Sequence, residues 1–239
     1  MNSRTFLAGL LAVLFIILLV PVLAVSVLIQ FRTPILFFSR VYFGWVWPIV
    51  GFRITVEGRE HLAPGRQCVF MANHQSFIDG PLMFWAIPGP LRVILKKGIL
   101  RLPVIGLCMR FVGFVPVDRK RLRGGIRSVD RAAELMARRG YSFLIFPEGT
   151  RTRDGRFQSF KRGGFFLALR SGVPIVPASI RGTYRLMPRG SFRIGSGPVH
   201  VRFYPPVSVQ SFTINTLPAL VERVRRTIAS DLEPEENPS

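Results

Sequence analysis

The chain has 239 residues; apolar residues make up 49% and charged residues 19%, and mean hydropathy is +0.32. That composition excludes a disordered chain and points to one main domain with an appendage that meets a membrane. Thirty-three Lys and Arg against thirteen Asp and Glu give a formal net charge of +20, which asks for an anionic partner: nucleic acid, anionic lipid or a phosphorylated substrate. Two cysteines, Cys68 and Cys108, exclude a disulfide framework and a Cys-rich zinc module. They read as ordinary buried thiols of a reducing compartment.

The 24 residues from Phe6 to Ile29 carry no charge. As a helix they extend about 36 Å, enough to cross a hydrocarbon core of about 30 Å. Pro21 predicts a kink or break near Val20. A cleaved signal peptide is the alternative, although the apolar run continues past the small residues at 24–26. Pro34 to Phe52 follows, rich in Phe, Tyr and Trp with Arg40 alone among them, and suits the headgroup level of a bilayer or a core helix. Arg32, Arg40 and Arg53 follow the first apolar run while only Arg4 precedes it, so the remainder should face the cytoplasm. Residues 1–53 are therefore expected to anchor the chain to a membrane, by spanning it or by lying in one leaflet.

From Ile54 the texture alternates between strands and helices. Strands are predicted at 54–57, 68–72, 91–95, 114–117, 142–146, 175–180 and 199–204, and helices at 80–87, 125–140, 165–170 and 217–228. This is the pattern of an α/β domain over residues 54–230, its largely parallel or mixed sheet flanked by helices. The tail, 231–239, with four acids and two prolines, is expected to be disordered.

Four short segments carry chemistry. In Asn73-His74-Gln75-Ser76-Phe77-Ile78-Asp79, at the end of a predicted strand, His74 and Asp79 converge if His74 lies in the loop and Asp79 on the first turn of the next helix. A carboxylate on one ring nitrogen fixes the tautomer and leaves the other nitrogen free to take a proton. Asp79 could equally be no more than a helix N-cap. Phe146-Pro147-Glu148-Gly149-Thr150-Arg151 also ends a strand, so it should share a rim with His74 if the two strands are neighbours. Gly113 to Arg119 opens a basic stretch: thirteen Lys and Arg and three acids lie between Arg92 and Arg139. Arg119 and Arg151 could hold a phosphomonoester bidentately. Val173-Pro174-Ile175-Val176-Pro177, with two prolines, reads as an edge strand.

In this order the segments match N-H-x-S-x-x-D, G-x-x-x-x-x-R, F-P-E-G-T-R and V-P-I-x-P without a gap in any of them. Together they resemble the 1-acyl-glycerol-3-phosphate acyltransferase (lysophosphatidate acyltransferase) family over roughly residues 54–206. The resemblance implies that His74, oriented by Asp79, is the general base on the sn-2 hydroxyl of lysophosphatidate. The acyl donor is then an acyl thioester of coenzyme A or acyl carrier protein, a co-substrate, with no metal or prosthetic group. Glu148, Gly149, Thr150 and Arg151 resemble the acceptor-binding block, and Arg119 with Lys96 or Lys97 would grip the phosphate. Pro174 and Pro177, on the apolar strand, would help admit the acyl chain. The same chemistry on glycerol 3-phosphate or a lyso-aminolipid is the nearest alternative. A nucleic-acid-binding protein leaves the apolar amino terminus without a role. A metal hydrolase is disfavoured because His61, His74 and His200 lack ligand spacing.

Overall fold

The structure is a computed structural model that describes residues 3–63, 65–117 and 122–232. It opens with two helices, α1 (Ser3–Leu28) and α2 (Thr33–Ile49), followed by β1 (Phe52–Glu57). Next come β2 (Val69–Ala72), α3 (Asp79–Ala86), β3 (Leu91–Lys96), α4 (Ile105–Val112) and β4 (Val115–Val117). After them lie α5 (Leu122–Arg139), β5 (Ser142–Ile145), α6 (Gly163–Ser171), β6 (Ile175–Arg181), α7 (Thr183–Leu186), β7 (Gly197–Phe203) and α8 (Leu217–Ala229). The strands form one seven-stranded sheet in the order β1-β7-β6-β2-β5-β3-β4. From β6 to β4 every pairing is parallel, while β7 is antiparallel to β6 and β1 parallel to β7, so the sheet is mixed.

Parallel strands need crossovers, and the crossover helices cover both faces. The alternation of β2 shows the result. Phe70 and Ala72 join a core beneath α1 to α4, and Val69 and Met71 join a second core beneath α5, α6 and α8. The amino-terminal helices are thus no detachable appendage, since Leu19, Ile35, Leu36 and Trp47 belong to the first core. Phe15, Phe38, Tyr42, Phe43, Trp47 and Phe52 pass ring contacts from helix to helix and on to β1. Their edge and offset contacts add to the burial of large apolar rings. Both cysteines are free and buried, and burial pushes the Cys108 thiol up to about 11.

Three expectations are corrected. Pro21 does not break α1, which runs on through it. β6 is an interior strand, between β7 and β2, rather than an edge. The carbonyl oxygen of Pro177 accepts from the Tyr204 N–H (3.0 Å), on the β7 side, so its missing donor is also on that side. The β6–β7 ladder begins only at Ala178, and Pro177 pairs with Met71 of β2 without the loss of a bond. The tail begins later than its composition suggests. Asp231 accepts from Ser179 Oγ (2.6 Å) and pairs with Arg181 and Arg202, and Leu232 is buried. Residues 233–239 lie outside the described ones.

Candidate active site

The parallel register puts the carboxyl ends of β6, β2, β5, β3 and β4 on one rim, where ligands of open α/β sheets bind. β2 and β5 are neighbours there, so the loop holding His74 lies beside the loop holding Glu148. Asn73 ends β2 with its side chain in place of a further ladder step. It donates to the Ile180 carbonyl oxygen (2.8 Å) and accepts from the Ile180 N–H (2.7 Å), both on β6.

His74 is held from three sides. Its Nδ1 lies 2.9 Å from Oδ2 of Asp79, which is fully buried at the first residue of α3. Its ring stacks on Phe146 at 4.1 Å between centroids with 16° between planes. Its backbone N–H donates to Glu148 Oε1 (2.7 Å), and its carbonyl oxygen accepts from the Thr152 N–H (3.0 Å). The side chain keeps 19% exposure, so an edge of the ring faces solvent. With Nδ1 donating to Asp79, the network assigns the Nε2 lone pair as free to take a proton.

Asp79 does not act as a helix cap. The residue before it, Ile78, occupies the cap position, and α3 has no side-chain cap hydrogen bond. Instead Oδ2 looks back along the chain and accepts the N–H groups of Gln75 (2.7 Å) and Ser76 (2.7 Å) as well as His74 Nδ1. One buried oxygen therefore shapes the whole turn from His74 to Asp79 and aims the ring.

Glu148, expected among acceptor-binding groups, is buried, and its Oε1 serves the backbone of His74. On this geometry it joins the β5 loop to the β2 loop. Gly149 stands at φ +76°, and a Cβ there would lie 2.9 Å from Lys161 Cδ, so the glycine lets the Lys161 chain cross the turn. Thr150 and Arg151 are half-buried at the rim. The Arg151 guanidinium carbon is 5.8 Å from the centre of the Phe77 ring. Lys96 ends β3, one strand beyond β5, and Lys97 follows it; both are exposed without an ion pair among the described residues. Arg119 lies outside the described residues.

Pro174 and Pro177 stand just before β6 and within it. Pro174 precedes β6 at the opposite, amino edge of the sheet, where its carbonyl oxygen accepts from the Val69 N–H (3.0 Å). Five residues separate Val69 from His74, roughly 17 Å along a strand. Ile175, Val176 and Ala178 are fully buried between the two helical layers.

Two participants escaped the sequence reading. Arg189, on the loop after α7, donates through Nη1 to Thr150 Oγ1 (3.2 Å) and to the Arg151 carbonyl oxygen (3.0 Å). The same loop takes the Ser76 hydroxyl on the Met187 carbonyl oxygen (2.7 Å), which binds it to the His74 turn as well. Lys161 is the second. Only the fold lays it over Gly149.

A family model described as acyltransferase matches residues 53–181. The chain is 29% identical, over 84% of its length, to 1-acyl-sn-glycerol-3-phosphate acyltransferase of Limnanthes douglasii, of which it covers 71%. It is 34% identical, over 75% of its length, to 1-acyl-sn-glycerol-3-phosphate acyltransferase alpha of Homo sapiens, of which it covers 64%. Among solved structures it is similar to that of the 1-acyl-sn-glycerophosphate (LPA) acyltransferase PlsC from Thermotoga maritima. There the TM-score is 0.79 and the identity 27%, over 97% of this chain and 95% of that one.

Proposed function

This chain belongs to the acyltransferase family, and on that premise we propose that it moves a fatty acyl group from an acyl thioester to the sn-2 hydroxyl of 1-acyl-glycerol 3-phosphate, giving phosphatidate. The observation that carries the mechanism is the His74–Asp79 pair, 2.9 Å apart, on the same rim as Arg151, Lys96 and Lys97. As the acceptor oxygen attacks the thioester carbonyl, His74 Nε2 takes its proton. The tetrahedral intermediate then collapses, the C–S bond breaks, and the imidazolium returns the proton to the departing thiolate. Asp79 holds the ring in the required tautomer and balances its charge while it is protonated. Lysines and arginines on the rim bind the acceptor phosphate, and the thiol released is coenzyme A or acyl carrier protein.

The substrates are lipids, and the amino-terminal helices bring the rim to them. α1 alone is long and apolar enough to cross a membrane among the described residues. Yet it is held to the domain near both ends. Near its start Thr5 Oγ1 accepts from the Ile194 N–H (3.0 Å), and just past its end Arg32 Nε donates to the Phe111 carbonyl oxygen (2.7 Å). A helix about 39 Å long lying against a charged domain cannot cross a bilayer without drawing that domain into it. We therefore read α1 and α2 as an anchor lying in one leaflet, with Phe6, Ile17 and Leu28 turned to the acyl chains and the domain on the cytoplasmic side.

Detergent-purified protein given oleoyl-coenzyme A, with and without 1-acyl-glycerol 3-phosphate, tests the reaction by thiol release. Thiol that appears only with this acceptor, and about 10²- to 10⁴-fold more slowly in His74→Ala, is the expected result. Equal rates in wild type and His74→Ala would refute the proposed base. Faster turnover of glycerol 3-phosphate or a lyso-aminolipid would refute the acceptor.

A further inference from the structure

A second basic site lies at the far end of the sheet from His74. The amino edge of β3 and β4 holds a cavity of about 280 Å³ whose wall includes Arg32, Arg110, Arg131, Arg138 and Arg139 against a single acid, Glu134. Glu134 is already engaged by Arg131 (2.8 Å) and Arg138 (3.4 Å), and among the described residues Arg32, Arg110 and Arg139 have no carboxylate partner. Behind the wall lies Arg92, only 2% exposed. Its guanidinium lies 3.7 Å from the centre of the Tyr141 ring and donates to the Leu91 carbonyl oxygen (2.8 Å). Its Nε has no hydrogen-bond partner among the described residues and lies behind Gly113, which lines the cavity. Burial lowers the Arg92 pKa; Tyr141 offsets part of that, and the charges of Arg32 and Arg40 lower it further. A buried cation facing like charges is expensive unless an anion joins it.

Arginines in the last turn of a helix complement its dipole, and that accounts for Arg110, Arg138 and Arg139 one by one. It does not account for Arg32, which precedes α2, nor for its convergence with the helix-end arginines on one cavity, with Arg92 of β3 buried behind it. We propose that this cavity binds the phosphate of an anionic phospholipid headgroup. The lipid source follows from position. Arg32 comes directly after the turn that ends α1, where Leu28 is 83% exposed and Phe31 is also exposed. One helical turn before Arg110 on α4, Leu107 presents further exposed apolar surface. A headgroup in the plane of α1 enters the cavity while its acyl chains stay beside these side chains. The site is separate from the catalytic rim, since its lining includes no residue of the His74, Glu148 or Lys96 loops.

The test uses the full chain in neutral maltoside micelles and reads the thermal unfolding midpoint against added dioleoyl-phosphatidylglycerol or inorganic phosphate. It compares wild type with R110Q/R139Q and with R223Q/R226Q, which removes the same charge from α8. Phosphatidylglycerol should raise the midpoint of wild type and of R223Q/R226Q alike. In R110Q/R139Q the lipid fraction giving half of that rise should be higher by roughly tenfold or more. Equal weakening in both double variants would overturn the site and leave diffuse charge attraction. A wild-type response to inorganic phosphate as strong as that to the lipid would overturn the lipid assignment, and no response to either would overturn the proposal. Acyl transfer is not read, so the outcome is independent of the proposed reaction.

Discussion

Replacing Asp79 by Asn separates a catalytic carboxylate from a loop-shaping one. Oδ2 accepts all three bonds, from His74 Nδ1, Gln75 N–H and Ser76 N–H, while Oδ1 has no hydrogen-bond partner among the described residues. An asparagine can therefore put its carbonyl oxygen where Oδ2 was and keep the turn, with its NH₂ in a buried place that offers no acceptor. Three charge-assisted bonds become neutral ones, a loss of about 1 kcal/mol each before relaxation, and stability should fall by about 2–3 kcal/mol. At about 2–4 °C per kcal/mol for a chain of this size, the unfolding midpoint drops by roughly 4–12 °C. The imidazolium formed during transfer also loses its counter-charge, so kcat should fall roughly 10²- to 10⁴-fold while KM for the acceptor stays within a few-fold. His74→Ala supplies the contrast, with a comparable loss of kcat but little loss of stability, because a partly exposed ring leaves no buried carboxylate without its two backbone donors. Thermal unfolding and thiol release on the same preparations decide the matter. If Asp79→Asn lost stability and kept its kcat, Asp79 would only shape the loop, and the base assigned to His74 would lose its orienting partner.

Glu148→Ala should lower the unfolding midpoint through a loss of about 1–3 kcal/mol, because the His74 N–H is left without its acceptor. Its effect on thiol release should fall on kcat more than on KM, and the reverse pattern would return Glu148 to the acceptor site. In Gly149→Ala a φ of +76° and a Cβ 2.9 Å from Lys161 Cδ act together. A loss of about 1–2 kcal/mol is expected in denaturant unfolding, and KM for the acceptor should rise. Arg189→Ala removes two bonds from the Thr150–Arg151 segment and should raise that KM several-fold with kcat little changed in steady-state assays. The exposed pair Ile17→Lys and Leu28→Lys should leave the unfolding midpoint within a few degrees and sharply reduce sedimentation with neutral vesicles. Undiminished sedimentation would refute the in-plane anchor.

Local patterning carried most of the elements. Period-two and compact apolar runs marked β1 to β7 within a few residues, and helical spacing marked α5 and α8, because each of these segments must bury one or both faces whatever the chain order around them. The four motifs also identified the family from short stretches, since chemistry needs those side chains at fixed local spacing. What the sequence left open were matters of distance across the chain. Two prolines suggested an edge strand, but the direction of a missing N–H depends on which neighbour lies on that side, and β7 begins to pair only past Pro177. Glu148 looks like a polar rim residue until the β2–β5 pairing sets it against the His74 backbone. Arg189 lies more than a hundred residues from His74, and no local period reports that its loop closes over the His74 turn and the Thr150 segment. Residue type and near spacing are written in the chain; burial, partner and direction arise only when strands far apart in sequence become neighbours in the sheet.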